Sequence, residues 1–177
     1  LGSYADVLDL ALEGVKPLPE LLQSLRGDAA RALTQADCRR MAYNGWQLDP
    51  RADADAGALV ESLQLAEQRC PRESTAERDR LVATAASLAA SAELKDVEAG
   101  RAPSARLRAL LASVQSLVAD RGRSAKVADA LIGVGDDFFS VARHADAAHN
   151  AELRRNWFAL MDAMEASPAY SDTVKLM

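Results

Sequence analysis

Apolar residues return along this chain at intervals of three and four, with polar residues filling the positions between them, which is the period of an amphipathic helix. Glycine and proline sit where such runs would stop, so the punctuation maps the elements. Tyr4 to Glu13 reads as a first helix with Val7, Leu8, Ala11 and Leu12 inward, ended by Gly14, Pro17 and Pro19. A short helix through Leu21, Leu22 and Leu25 follows. Thr34 is placed to cap a helix carrying Cys38, Met41 and Ala42 on one face, and Asn44-Gly45 reads as its stop, with left-handed backbone. Asp49 to Gly57 is the most loop-like stretch. Behind it Leu59, Val60, Leu63, Ala66 and Cys70 keep helical spacing up to Pro71.

Ser74-Thr75-Ala76-Glu77 has the pattern of a capping box, and the helix behind it sets Leu81, Ala85, Leu88 and Ala92 on one stripe, ending near Gly100. Pro103-Ser104 starts the clearest helix, in which Leu107, Leu110, Leu111, Val114, Leu117 and Val118 follow one face until Gly122. From Ser124, the residues Val127, Leu131, Val134, Phe138 and Val141 predict one helix running through Gly133 and Gly135, with the glycines as a kink or a point of close approach. A last run places Leu153, Trp157, Leu160, Met161 and Met164 on a seam that ends at Ser167-Pro168. Its continuity with the preceding helix through His149-Asn150 is left open.

No stretch alternates with the period of a strand, and the Tyr43 to Pro50 segment does not recur at the spacing of a helical-pair repeat. The pattern therefore predicts an all-α, single-domain bundle of about six to seven helices with short connections. With 177 residues the chain suffices for one core. Residues 1–3, Leu1-Gly2-Ser3, resemble the scar of a protease-cleaved fusion, so residues 4–177 are read as one helical domain cut from a larger protein. The 37 alanines, and 17 arginines against four lysines, favour helix and suggest a GC-rich bacterial gene.

Charge narrows the partners. A formal net charge of -5, with both signs scattered, lacks the basic footprint of a nucleic-acid binder. No apolar run reaches the roughly 20 residues of a membrane span, and a soluble chain without a targeting signal is expected. The two cysteines, Cys38 and Cys70, fit buried packing or one disulfide. Arg39 and Arg40 beside Cys38 could lower a thiol pKa, but no histidine is near in sequence to serve as a base.

The densest polar group is Asp136, Asp137, Arg143, His144, Asp146, His149 and Glu152, which holds both histidines. On one continuous helix Asp146, His149 and Glu152 would share a face and offer oxygen and nitrogen ligands, whereas His144 and His149, five apart, would diverge by about 140°. One Asp-x-x-His unit falls short of the paired Glu-x-x-His units of di-iron bundles, so no metal or other cofactor is expected. His144, Asp146 and His149 remain the catalytic candidates of an enzyme alternative, against a solvated helix face. Asp53-Ala54-Asp55-Ala56-Gly57 misplaces the ligands of a calcium loop and reads as an acidic turn before a helix. Gly133-Val134-Gly135 lacks the lysine of a phosphate loop, and no serine stands in a nucleophile motif.

Arg154, Arg155 and Trp157, with Asn156 among them, have the composition of a contact surface, although the apolar spacing also fits Trp157 in the core, and Trp46 near a turn poses the same choice. The expectation is a non-enzymatic domain that binds another protein through a helix face bearing Arg154, Arg155 and Trp157. A bundle that senses a small ligand or a lipid head group between its helices is the further alternative, and a cavity near Gly133 and Gly135 would favour it.

Overall fold

The computed structural model describes residues 18–134 and 137–170, apart from the side chains of Trp46 and Val134. Among the described residues there are eight α-helices and no strand: α1 (Leu18–Arg26), α2 (Gln35–Asn44), α3 (Asp53–Arg69), α4 (Thr75–Glu98), α5 (Ala105–Leu117), α6 (Arg121–Val134), α7 (Asp137–Ala147) and α8 (Ala151–Ala166). The all-α bundle is thus observed, with shorter and more numerous helices than the apolar pattern suggests. The first helix expected over Tyr4 to Glu13, the scar at residues 1–3 and the Trp46 side chain lie outside the described residues.

The long helix α4 is the hub, packing against α2, α3, α5, α6 and α7 and touching α8. Between Leu81 and Glu93 only Leu88 and Ser91 escape full burial, because alanines at 83, 85, 86, 89, 90 and 92 let neighbours approach from almost every side. A helix apolar around most of its circumference is a buried one. The outer helices supply the larger groups, Met41, Leu59, Leu110, Leu131, Phe138 and Trp157, and these join α4 in one continuous apolar cluster. No helix among the described residues is long and apolar enough to cross a membrane.

Local chemistry explains where the boundaries fall. Thr34 caps α2 as expected: its hydroxyl accepts from the Asp37 amide at 3.1 Å while the Asp37 carboxylate accepts from the Thr34 amide at 2.9 Å, a reciprocal capping box. The expected capping box at Ser74 does not form. Ser74 is not in the extended conformation a cap needs, and Glu77 turns outward to Gln35 and Arg39 of α2 instead. Gly45 is right-handed (φ -68°) and opens a short 3-10 turn, Gly45–Gln47, so the left-handed stop is not used. Helix α3 begins at Asp53, inside the stretch read as loop, because Asp53 and Asp55 put carboxylates at the positive end of the helix and Asp55 also accepts from the Asp49 amide.

Gly122 does not end α5. That helix stops at Leu117, and Asp120 then accepts from the Arg123 amide at 2.9 Å, starting α6 with Gly122 in its first turn. The helix expected from Ser124 to Val141 is described in two stretches, α6 and α7, while residues 135–136, Gly135 among them, lie outside the described residues. A Cβ on Gly133 would meet nothing within 4 Å, so no close neighbour explains that glycine.

The open question of helix continuity is settled at His149. It adopts φ 47°, the left-handed region, and closes α7 with paired bonds from the His149 amide to the Asp146 carbonyl and from the Asn150 amide to the Ala145 carbonyl. Asn150 then caps α8 through the Leu153 amide. Because a β-carbon is unfavourable in this conformation, His149→Gly should raise stability by about 1 kcal/mol. Urea unfolding checks this, and a destabilised variant would show that the imidazole makes a contact the fold needs.

Candidate functional site

Five buried polar side chains lie along α4: Asp79, Thr84, Ser87, Glu93 and Asp96. Burying a polar group without a partner is costly, so each calls for a compensating contact. Asp79 has Arg123 of α6, whose Nε lies 2.8 Å from its Oδ1, poorly aligned for a hydrogen bond but close as an ion pair. Burial pushes the Asp79 carboxyl up from the usual range, and Arg123 opposes that shift. Arg123 also forks onto Glu67 of α3, tying three helices together. Asp96 receives Arg101 at 3.3 Å.

Glu93 is 1% exposed and has no cation beside it among the described residues. The Trp157 indole N–H donates to its Oε2 at 2.7 Å, and the Asn156 amide donates to its other oxygen. Burial raises the Glu93 pKa, while these two donors hold it down. Gln115 of α5 donates in turn to the Asn156 carbonyl at 3.2 Å, which fixes the head of the donor pair.

Thr84 and Ser87 are the exceptions. They are 6% and 9% exposed, yet neither hydroxyl hydrogen-bonds another group of the protein among the described residues. Thr84 turns its methyl toward Gly45, where an added Cβ would lie 3.5 Å away. Both residues line a groove of about 380 Å³ between α4, the end of α2 and the start of α7. Arg80, Thr84 and Ser87 stand at i, i+4 and i+7, one face of α4 about 10 Å long. Ala42, Tyr43 and Leu88 give the groove apolar surface, and Asp137 its carboxylate. The Arg80 guanidinium sits over the Tyr43 ring, 4.1 Å from its centroid, a cation–π contact. Arg80 makes no ion pair among the described residues. Among the described residues no histidine, cysteine or lysine lines the groove to activate either hydroxyl, and the arrangement is suited to holding a ligand.

Of the residues singled out from sequence, Asp137 lines this groove, and the catalytic candidates His144, Asp146 and His149 fall elsewhere and are not brought together. His144 is half-buried, with Nδ1 4.0 Å from Glu98 Oε1. Asp146 is paired with Arg154, and His149 is exposed beyond the end of α7, so the break there removes the face that Asp146, His149 and Glu152 were to share. Among the described residues no three His, Cys, Asp or Glu side chains gather as a metal would require.

Trp157 is 1% exposed and meets Phe138 edge to face at 5.6 Å, so it cannot belong to a presented surface. Arg154 and Arg155 are exposed, as is Phe158 at 53%, the aromatic residue the sequence reading passed over. Cys38 and Cys70 form a disulfide joining α2 to the end of α3, which removes Cys38 as a nucleophile. A second groove, of about 220 Å³, lies between α7 and α8 among Phe139, Met161, Met164 and Tyr170, away from Gly133. The chain matches no protein-family model, no curated protein and no solved structure.

Proposed function

We propose that this chain is a non-enzymatic helical recognition module whose ligand sits in the groove formed by Tyr43, Arg80, Thr84, Ser87 and Asp137. The observation that carries this reading is that Thr84 and Ser87, themselves largely buried, line the groove with hydroxyls that take no hydrogen-bond partner from the protein among the described residues. Hydroxyls that face a groove and are not used by the fold are free to donate to, or accept from, a ligand placed there.

Stability measurements on the free protein test this. Thr84→Val and Ser87→Ala remove hydroxyls that the fold does not use, so each variant should be as stable as the parent or more so, by up to about 1 kcal/mol. A loss of that size in both variants would show that the hydroxyls serve the fold, and the reading would fail.

A second reading has its own observation. Phe158, more than half exposed beside Arg154 and Arg155 on the outer row of α8, supports a protein contact there, with Phe158 taking the anchoring part first given to Trp157. An Arg155→Glu, Phe158→Ser variant leaves Trp157 in place. It should lose a co-purifying partner that the parent retains, and undiminished retention would remove this surface.

A further inference from the structure

The geometry points to a small zwitterion of the amino-acid type as the ligand of the α4 groove, its carboxylate on Arg80, Thr84 and Ser87 and its ammonium on Asp137. This rests on the recognition reading above and names the ligand class for that site. Arg80 is anchored over the Tyr43 ring, and its guanidinium N–H groups form a planar fork that matches the two oxygens of a carboxylate. Thr84 and Ser87 stand one and two turns further along the same face and add two O–H donors to the same side of the groove.

Asp137 is the acid among the described lining residues, and it is not ion-paired with Arg80. Among the described residues, the groove lining thus carries one charge of each sign, not paired with each other. A simple anion such as phosphate would gain Arg80 and be repelled by Asp137, and a simple cation would meet the reverse. A ligand with one charge of each sign satisfies both. The volume of about 380 Å³ is at the lower end of the range for small-molecule pockets, and Ala42 and Leu88 leave apolar wall for a short side chain.

The test is amide chemical-shift titration of the full chain with each proteinogenic amino acid in turn, up to about 10 mM, which reaches dissociation constants in the millimolar range. At least one should give saturable shifts at Arg80, Thr84, Ser87 and Asp137. Its carboxamide, which lacks the carboxylate, and its deaminated acid, which lacks the ammonium, should each bind at least about tenfold more weakly. Arg80→Gln and Asp137→Asn, with unchanged circular dichroism, should weaken it by a similar factor. An analogue with one charge that binds as well as the parent amino acid would overturn the assignment, as would the absence of any saturable shift in the groove. In either case the stability of Thr84→Val and Ser87→Ala still decides whether the groove is a recognition site.

Discussion

Trp157→Ala should cost roughly 3–5 kcal/mol, most of the stability of a small domain, and leave the chain unfolded or molten at ambient temperature. The indole is packed against Phe138, buried to 1%, and the donor on which Glu93 depends. Truncation therefore opens a cavity and also strips a buried carboxylate of a hydrogen bond. Trp157→Phe separates these effects, because it keeps most of the volume and loses the N–H, at a cost of about 1.5–3 kcal/mol for a bond to a charged acceptor.

Glu93→Gln supplies the control. Burial raises the Glu93 pKa in the folded state, so the folded protein binds the proton more tightly than the unfolded chain does. The carboxyl's contribution to stability is then greatest at low pH and is lost as pH rises from the ordinary glutamate range through the raised folded value. Glu93→Gln should be more stable relative to the parent at neutral pH than at pH about 4, with the difference levelling off above the folded pKa. The second change should also be milder in combination: Trp157→Phe on a Glu93→Gln background leaves no charge stranded. Denaturant titrations at several pH values measure all of this, and additive costs would contradict the coupling.

The second large effect is expected at the disulfide. Cys38 and Cys70 are 32 residues apart in sequence, and closing a loop of that size removes unfolded-chain entropy worth roughly 3.5 kcal/mol at 25 °C. The folded state around the bridge is already stitched together. Arg69 donates to the carbonyls of Asp28 and Arg31, and the Leu33 amide donates to the Arg69 carbonyl. Reduction should consequently leave the fold recognisable while lowering the denaturant midpoint by an amount close to the entropic value. The urea midpoint with and without a reductant, and that of a Cys38→Ala, Cys70→Ala chain, give the measurement. Coincident midpoints would mean that the bridge constrains nothing.

The helical seams were legible because burial writes a period into the chain. Leu107 to Val118 and Leu153 to Met164 are buried on the faces that their spacing indicated. Boundaries were less legible, since the same residues could be used in two ways. Glu77 could reach back to a cap or across to α2, and the outcome depends on α2 being there. His149 closed a continuity that the sequence left open, because paired backbone bonds at the end of α7 outweighed the cost of a left-handed imidazole-bearing residue.

The candidate site was hidden for a related reason. Arg80, Thr84 and Ser87 do carry a signal, a polar row at i, i+4 and i+7 inside an alanine-rich helix, but a polar row normally marks a solvated face. Only the packing of α2 and α7 against α4 turns it into the wall of a groove. Trp157 carried two readings: its spacing placed it on the seam, where it is buried, while its arginine neighbours suggested a surface, and its partner Glu93, 64 residues away in sequence, could not be inferred from periodicity.

The most direct measurement is an amide chemical-shift map of the full chain titrated with a chemically diverse set of small fragments. Recognition in the α4 groove predicts saturable shifts concentrated at Tyr43, Arg80, Thr84, Ser87 and Asp137. Shifts centred instead on His144 to His149, or on Arg154 to Phe158, with the groove amides unmoved, would contradict it.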